Sequence, residues 1–292
     1  MTSFVLLHYL VFEETKKCVD SILNNVDGEK KVIIVDNCSP NDSYEKLCEC
    51  YKGIDDVIVI KNFSNAGYAS GINCGYSYAK DHYKNDFIVC MNNDMEIVQK
   101  DFVNIIRASY EQNHFYVLGP DVYSTSAKKH QNPENDHIRN LEEVERHIEE
   151  VKKIKANQIK LKIKGVLRRI KPIKSLYYKQ RQETLGQENT SIRKNVTLHG
   201  SCLVFSKPFI ERREYALNPG TFFYCESQIL DYECIRDNML SIYDPKVKIF
   251  HHEDVATDAV AGSYEKKMIK KCERVLDSLE FMKAMIKKDL EK

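Results

Sequence analysis

The segment that most constrains the fold of this chain is an apolar run ending in three polar side chains, residues 86–94. Residues 88–91 suit a strand buried on both faces, as in the middle of an α/β sheet. Asn92, Asn93 and Asp94 follow directly. Because ligands of open α/β sheets bind just beyond the carboxyl ends of the strands, we expect Asp94 to border a binding crevice. A carboxylate there suits a hard divalent cation and its phosphate, although an ordinary polar turn gives the same pattern.

Two apolar runs upstream extend the predicted sheet. Residues 31–36 end in Asp36 and lead into turn-forming residues, and residues 56–60 form the next strand. The segment 65–75 then carries glycines at every fourth residue. Such glycines allow a close approach of the backbone either to a ligand or between a helix and the sheet. Neither a phosphate-binding P-loop nor the dinucleotide fingerprint fits, since no Gly-Lys-Ser/Thr follows and the glycine spacing differs.

Composition indicates a globular chain with a substantial core and no membrane span. The chain has 292 residues, of which 42% are hydrophobic, and no run of about 18 apolar residues occurs. Its ten cysteines show no paired metal-ligand spacing, and Cys48 and Cys50 are too close together for a zinc knuckle. Cys74, Cys90 and Cys202 fall in predicted core elements. The simplest interpretation is reduced thiols in a cytoplasmic protein.

The order of predicted elements indicates an α/β fold, a mostly parallel sheet flanked by helices. Residues 1–125 alternate strands with helices and form the first predicted unit. The expected helices are 12–25, 68–82 and 101–112, the last with Asp101 as N-cap, and a strand is expected to end at residues 118–120.

Residues 126–195 break this alternation and are predicted to be an inserted helical segment. Residues 196–262 resume strands at 201–205 and 246–250. Residues 263–292 predict a charged C-terminal helix. Its apolar stripe consists of Met268, Val275, Leu279, Met282 and Ile286.

Positive charge is concentrated in one segment. Residues 152–181 contain twelve Lys or Arg and no Asp or Glu, whereas the net charge of the chain is only +1. An acidic body with one basic segment usually marks an anionic partner. Apolar residues recur at helical spacing within the segment, which favours docking on an anionic membrane surface. A solvated helix packed on the main domain is the alternative; nucleic-acid binding is not favoured, because no base-stacking or groove-reading motif accompanies the charge.

Several short motifs follow one another along the chain. They are Val35-Asp36-Asn37-x-Ser39-x-x-Asp42, Asn65-x-Gly67-Tyr68-Ala69-x-Gly71-x-Asn73-x-Gly75, Met91-Asn92-Asn93-Asp94, residues 199–205, residues 221–226 and Ile249-Phe250-His251. Together they resemble family 2 glycosyltransferases with the GT-A fold, in particular bacterial rhamnosyltransferase-like members of polysaccharide synthesis. The resemblance covers residues 3–125 and 196–258.

The resemblance implies a nucleotide-sugar donor and a divalent cation, Mg²⁺ or Mn²⁺. Asp36 matches the residue that binds the base or ribose, and Asp94 matches the metal ligand that ends the family's Asp-x-Asp motif. Asn92 replaces the first acid of that motif, so weaker metal binding is expected without nucleotide. His251 matches a further metal-ligand position, with His252 beside it. By the same resemblance, Asn65, Gly71, Asn92 and Asn93 are candidate nucleotide-binding residues.

The candidate general base is Glu226. The family commonly has two consecutive acids after an aromatic stretch, and the second is often the base. Here Ser227 stands in second place, so either Glu226 takes the acceptor proton or Asp231 replaces the missing acid. The candidate sugar-contacting residues are Gly200, Phe222, Phe223 and Tyr224, since aromatic rings stack on sugar faces.

The function implied is an inverting glycosyltransferase that moves a sugar from a UDP- or dTDP-sugar to a hydroxyl of a glycan, expected to be a lipid-linked surface polysaccharide such as capsule. The enzyme would be cytoplasmic and peripheral on the inner face of the membrane. A sugar-nucleotide pyrophosphorylase is one alternative, but residues 8–12 lack the Gly-rich basic loop it would need. A degenerate member that only binds a partner or membrane is the other, because the acids are lost at Asn92 and Ser227.

Overall fold

The centre of the molecule is a mixed sheet whose strands carry the predicted apolar runs. The computed structural model describes residues 1–134, 137–157, 189–252 and 264–291. Within these ranges the strands are β1 Thr2–His8, β2 Lys30–Asp36, β3 Val57–Lys61, β4 Phe87–Asn92, β5 Met95–Glu96, β6 Val117–Ser124, β7 Lys129–His130, β8 Arg193–Lys194, β9 Cys202–Ser206 and β10 Ser241–His251. The helices are α1 Phe12–Asn25, α2 Ser43–Cys50, α3 Tyr68–His82, α4 Phe102–Asn113, α5 Leu141–Ala156, α6 Lys207–Arg212, α7 Glu226–Arg236 and α8 Tyr264–Leu290.

The strand order is β3-β2-β1-β4-β9-β6-β10-β5. The first four strands are mutually parallel. β9 is antiparallel to both β4 and β6, and β10 is parallel to β6. Two antiparallel steps restore the original direction, so β1, β2, β4, β6 and β10 all end at one edge of the sheet. The expected α/β architecture is confirmed, and this shared edge is where its ligand crevice is expected.

Side chains alternate along each central strand and fill two cores. Leu6 and Met91 pack with α1 and α4 on one face, and Val5 and Cys90 pack with α3, α6 and α7 on the other. Residues 88–91 are buried, so the prediction that this strand is covered on both faces is confirmed. Each large apolar side chain buried in this way contributes about 1.5–3 kcal/mol.

Two glycines let α3 lie close to the sheet. A Cβ at Gly71 would come within 2.4 Å of Leu7 Cδ1, and one at Gly75 within 2.4 Å of Val5 Cγ1. Of the two roles expected for these glycines, close helix–sheet packing is therefore the one this geometry shows. α3 itself spans the predicted residues 68–82.

The prediction that a strand ends at Pro120 is wrong, since β6 continues to Ser124. The register between β6 and β10 shifts between Asp244 and Lys248, opposite Pro120 and Asp121. A proline lacks the N–H that a regular ladder needs, and an irregularity in the partner strand removes that requirement. The helix predicted over 101–112 is α4, which begins directly after Asp101, but the Asp101 side chain makes no capping hydrogen bond.

Helices α5 and α8 form a separate layer against α7. Ile148 of α5 and Leu279, Met282 and Ile286 of α8 share a buried cluster with Ile229 of α7. The expected apolar stripe of the C-terminal helix is thus confirmed for these three residues of α8, with Val275 packed against the cluster, whereas Met268 is not part of it. Of the basic segment 152–181, only residues 152–157 lie within the described residues. All ten cysteines are free thiols. Among the described residues, none of the helices is long and apolar enough to cross a membrane.

Candidate active site

A carboxylate and an imidazole meet at the shared edge of the sheet. Asp94 follows β4, and His251 ends β10; Asp94 Oδ1 lies 3.2 Å from His251 Nε2. The backbone secures this approach, because His252 N donates to Asp94 O at 2.9 Å and β10 pairs with β5 through His251 and Met95. The structure therefore brings together the two residues that the family resemblance assigns to the metal.

The hydrogen bond on the far side of the His251 ring decides which nitrogen faces Asp94. Nδ1 lies 2.8 Å from Gln131 Oε1. With this oxygen as acceptor, Nδ1 carries a proton, and in the tautomer that suits a metal ligand the Nε2 lone pair faces Asp94. Asp94 Oδ1 is buried and has no hydrogen-bond partner. Two acceptors at this distance favour a cation between them, so the residues fit a divalent ion.

This pair alone does not complete a coordination sphere. Within the described ranges, no group of three His, Cys, Asp or Glu side chains could hold a metal ion. An ion here would take its remaining ligands from water and a diphosphate, as Mg²⁺ usually does. The neighbouring His252 is engaged elsewhere: its Nε2 lies 2.8 Å from Glu96 Oε2. His251 is thus the histidine that points to Asp94.

Asp36 lies at the end of β2 and is fully buried. Its Oδ2 accepts from Ser39 N at 3.1 Å, and its Oδ1 has no hydrogen-bond partner. His8 Nε2 lies 3.8 Å from that Oδ1. Burial lowers the pKa of His8 to about 4, against the opposing effect of Asp36, so the imidazole is neutral at pH 7. Asp36 therefore keeps an unpaired acceptor at the predicted nucleotide position.

Asparagine side chains hold the loops next to Asp36. Asn37 Nδ2 donates to Asn65 Oδ1 at 3.1 Å, and Asn62 Nδ2 donates to Asn37 Oδ1 at 3.2 Å. Asn65 Oδ1 also accepts from Gly67 N. Gly67 has φ +98°, and Phe222 O would lie 2.1 Å from a Cβ there, so only glycine fits. This network joins the nucleotide side of the sheet to the aromatic segment 222–224.

A cavity of about 360 Å³ opens above these residues. It contains three of the predicted nucleotide-binding residues and two of the predicted sugar-contacting aromatics. The lining residues are Leu7, Tyr9, Asn37, Asn65, Gly67, Tyr68, Asn92, Asn93, Asp94, Phe222 and Phe223. A larger cavity of about 660 Å³ lies on the other side of Asp94, between α1 and β5. The first is the candidate donor site because most of these motif residues converge there; Asp36 and His251 are not among its lining residues.

Tyr68 connects the two halves of the site. Its hydroxyl oxygen lies 2.9 Å from Asn92 Oδ1 and 3.1 Å from Gly200 O, two acceptors that share its one hydrogen. Burial raises the pKa of Tyr68 well above its ordinary value, with smaller contributions from the charges of Glu226 and Asp94 among others. No role for Tyr68 was expected from the sequence, in which only its place in the Asn-x-Gly-Tyr motif pointed to the site. Asn92, which replaces the first acid of the metal motif, serves here as the acceptor for Tyr68.

Two of the predicted nucleotide-binding residues contact neighbouring parts of the protein itself. Asn93 Nδ2 donates to Thr15 Oγ1 at 2.8 Å, and the side chain is buried between β4 and α1. Gly71 packs on Leu7, as described above, and is not among the residues that line the cavity. A contact of either residue with nucleotide stays a prediction.

Glu226 is the first residue of α7 and follows two residues in left-handed conformation, Tyr224 (φ +80°) and Cys225 (φ +66°). Such a backbone is costly for non-glycine residues and is typical of functional sites. Desolvation raises the pKa of Glu226 from 4.5 to about 7, partly offset by backbone hydrogen bonds at Glu226 and Tyr224. Its Oε1 has no hydrogen-bond partner. A carboxylate with these properties is suited to accept a proton near neutral pH.

Asp231, the alternative base, is committed to other groups. Arg139 contacts both of its carboxylate oxygens, at 2.9 Å and 3.1 Å, and Thr197 Oγ1 donates to it at 3.0 Å. The side chain is buried beneath this ion pair. Between the two acids, the geometry favours Glu226, whose role as the base stays a prediction.

The aromatic segment before Glu226 borders the cavity. Phe222 and Phe223 are 40% and 41% exposed, which leaves ring surface for a ligand. The Phe223 ring meets Tyr68 edge to face, with centroids 6.0 Å apart. A Cβ at Gly200 would lie 2.9 Å from Ser227 Oγ, so Gly200 sits directly beside the start of α7.

Several solved structures share this architecture. A GalNAc-T7 structure with UDP, GalNAc and Mn²⁺ has a TM-score of 0.57 and 11% identity, over 86% of this chain and 44% of that one. The mannosyltransferase PcManGT from Pyrobaculum calidifontis, with GDP-Man and Mn²⁺, has a TM-score of 0.52 and 10% identity, over 94% and 69%. S. aureus TarS 1-349 with UDP has a TM-score of 0.51 and 11% identity, over 87% and 60%.

At sequence identities this low, the structural similarity shows a shared fold and no more. The chain spans less than two thirds of the length of the TarS and GalNAc-T7 chains. A comparison with curated proteins found no significant match. The model of the family described as Glycosyl transferase family 2 matches residues 3–212, most of the chain, and therefore includes every motif from Asp36 to Gly200. With the fold and the sequence in agreement, this chain belongs to glycosyl transferase family 2.

Proposed function

We propose that this protein is an inverting glycosyltransferase that transfers a sugar from a nucleotide diphosphate sugar to a hydroxyl of a glycan acceptor. The observation that carries the proposal is the position of Tyr68. It lines the cavity together with Asp94, the candidate metal ligand, and its hydroxyl lies 3.1 Å from the carbonyl oxygen of Gly200, beside the start of α7, whose first residue is Glu226, the candidate base. One site therefore holds the groups for the leaving diphosphate and for the acceptor hydroxyl, as single-displacement transfer requires.

The residues divide the chemistry as follows. Asp36 and the asparagine network would bind the nucleoside, and Asp94 and His251 would hold the divalent ion. When bound, that ion supplies positive charge to the diphosphate as the sugar–phosphate bond breaks. Glu226 would accept the proton of the acceptor hydroxyl as its oxygen attacks the anomeric carbon. Its raised pKa makes the carboxylate a stronger base than an exposed glutamate.

The donor base is proposed to be uracil or thymine, as the motif resemblance suggests. The similar structures contain UDP, and in the case of PcManGT, GDP-Man. A test of the proposal is nucleotide release from a panel of UDP-, dTDP- and GDP-sugars with Mg²⁺ or Mn²⁺. Release that depends on both a divalent ion and Glu226 would support transferase chemistry. Binding without any release would favour a degenerate member, and pyrophosphate-dependent release of sugar phosphate a pyrophosphorylase.

A lipid-linked polysaccharide acceptor and docking on an anionic membrane remain proposals from the sequence. They rest on the twelve basic residues of segment 152–181. The described part of that segment ends α5, where Lys152 pairs with Glu149 and Lys155 with Glu273. These two lysines are thus already used within the protein. The membrane proposal depends on the remaining basic residues, which lie outside the described ranges apart from Lys153.

A further inference from the structure

Two cationic side chains of α8 lie on the aromatic segment that precedes Glu226. The Arg274 guanidinium carbon is 3.7 Å from the centroid of the Phe222 ring, and Lys271 Nζ is 5.1 Å from that of Tyr224. Phe222 lines the donor cavity, and Tyr224 is two residues from the candidate base. The cations therefore lie on the segment that joins the donor cavity to the candidate base.

Arg274 and Lys271 differ from three arginines of the described residues in having no carboxylate partner. Arg139, Arg213 and Arg236 each pair with a buried or partly buried carboxylate. No carboxylate within the described part of the chain forms an ion pair with Arg274 or Lys271. Glu273, between them in sequence, turns away to Lys155 of α5. Two cations without a carboxylate partner among the described residues, on the segment that leads to the candidate base, are suited to an external anion.

Packing fixes the position of the pair relative to Glu226. Ser278 Oγ donates to Phe223 O at 3.3 Å, and Phe281 packs so closely on Gly220 that a Cβ there would lie 2.0 Å from its ring. Both contacts join α8 to the loop that leads into α7. Because these contacts tie the helix to the loop, they hold the guanidinium and ammonium groups beside the aromatic segment.

From this geometry we propose that Arg274 and Lys271 bind a phosphate ester carried by the acceptor, next to the hydroxyl that Glu226 deprotonates. The inference deepens the proposed function and rests on it. A guanidinium stacked on Phe222 keeps its N–H edge available for two parallel bonds to phosphate oxygens, and the lysine adds a point charge. The diphosphate of the donor is assigned instead to Asp94 and His251.

The phosphate could belong to a lipid-linked sugar diphosphate or to a phosphodiester within the acceptor glycan; the recognised chemistry is the same. The test titrates the full chain with bis(glycerol) phosphate, butyl diphosphate, glucuronate and glycerol, in the presence of UDP and Mn²⁺. The readout is the Arg Nε–Hε NMR signals together with calorimetry. The variants are Lys271→Gln/Arg274→Gln and a matched control, Lys287→Gln/Lys288→Gln, which removes equal charge from the last turn of α8.

We expect at least one phosphate ester to bind, and the double variant to weaken this binding about tenfold or more, as loss of charge-assisted bonds predicts. The control should bind as the wild type does, and UDP affinity and melting temperature should be unchanged in both variants. Arg274→Lys should restore binding only in part. Whichever probe binds identifies the source of the phosphate.

Three results would overturn the inference: equal binding in the double variant, displacement of the phosphate ester by UDP, or tighter binding of glucuronate than of either phosphate. The first would make Arg274 a packing residue for Phe222. The readout needs no transfer, so it is independent of whether sugars are moved. Failure of UDP to bind would instead count against the proposed function.

Discussion

Asp94 Oδ1 and His251 Nε2 face each other at 3.2 Å, from the ends of two strands that are distant in sequence. Gln131 on the opposite side of the imidazole orients the ring so that Nε2 faces the carboxylate. This relationship is the most direct structural reason to expect metal binding by this chain. Nucleotide binding with and without metal tests it.

Asp94→Asn should abolish the enhancement of UDP binding by Mn²⁺ while it preserves the size of the side chain. We expect a loss of about 100-fold or more in metal-supported affinity, since even outer-shell changes typically cost 10–100-fold. His251→Ala should act in the same direction. Calorimetry with UDP, with and without Mn²⁺, measures both.

The matched control is the neighbouring pair of Glu96 and His252, whose side chains contact each other at 2.8 Å. Glu96→Gln and His252→Ala should leave the Mn²⁺ effect intact. An equal Mn²⁺ enhancement in the wild type and in Asp94→Asn would show that the ion binds elsewhere.

Asp36→Asn should weaken binding of free uridine and UDP equally, with or without metal. The expected cost is about 1–3 kcal/mol, because the substitution replaces a charged acceptor with a neutral amide. Asp42→Asn is the control, since Asp42 is exposed and pairs with Lys46. If uridine binds both variants as tightly as the wild type, the nucleoside does not use Asp36.

Glu226→Gln should keep donor binding and reduce turnover by about 10²–10⁴-fold, as the loss of a general base does. In the wild type, turnover should rise with pH through about 7, where the carboxylate loses its proton. Asp231→Asn should mainly lower the melting temperature, because it disrupts the ion pair with Arg139. An active Glu226→Gln with an inactive, folded Asp231→Asn would reverse the assignment.

Glu226 should also make stability depend on pH. Its folded pKa of about 7 lies above the unfolded value of 4.5, so the folded state binds the proton more tightly. The resulting stabilisation is fully present below pH 4.5 and is lost as pH rises through 7. Glu226→Gln lacks this titration. The free energy of unfolding of the variant, minus that of the wild type, should therefore be about 1–3 kcal/mol higher at pH 8 than at pH 4.5. Unfolding with denaturant at both pH values measures these free energies. If variant and wild type differ by the same amount at pH 4.5 and pH 8, the raised pKa of Glu226 is contradicted.

Segment 152–181 should bind vesicles of anionic lipid at low salt and release them at high salt, because each Lys or Arg near such a surface contributes about 1 kcal/mol that salt screens. Substitution of Lys160, Lys162, Lys164, Arg168 and Arg169 with Gln should release the protein without a change in UDP affinity. Co-sedimentation at two salt concentrations tests this. Equal binding to neutral vesicles, or none to either kind, would remove the argument for a lipid-linked acceptor.

The sequence alone determined the elements that local physics controls. Apolar runs fixed the central strands, and helical periodicity fixed α1 and α3, because both depend on neighbouring residues. The strand boundary at Pro120 was wrong because the irregularity that accommodates this proline lies in β10, far away in sequence. The motif residues Asp36, Asp94, His251 and Glu226 could be named from their order in the chain.

Only the tertiary structure decided which of these residues act together. Strand β9 is antiparallel to both β4 and β6, so β10, which is parallel to β6, ends at the same edge of the sheet as β4. At this edge His251 rather than His252 lies against Asp94. Burial among distant segments raises the pKa of Glu226, and the ion pair with Arg139 occupies Asp231. The contacts of Arg274 with Phe222 likewise join α8 to the site. Desolvation and side-chain pairing arise between segments far apart in the chain, so a pattern of neighbouring residues does not encode them.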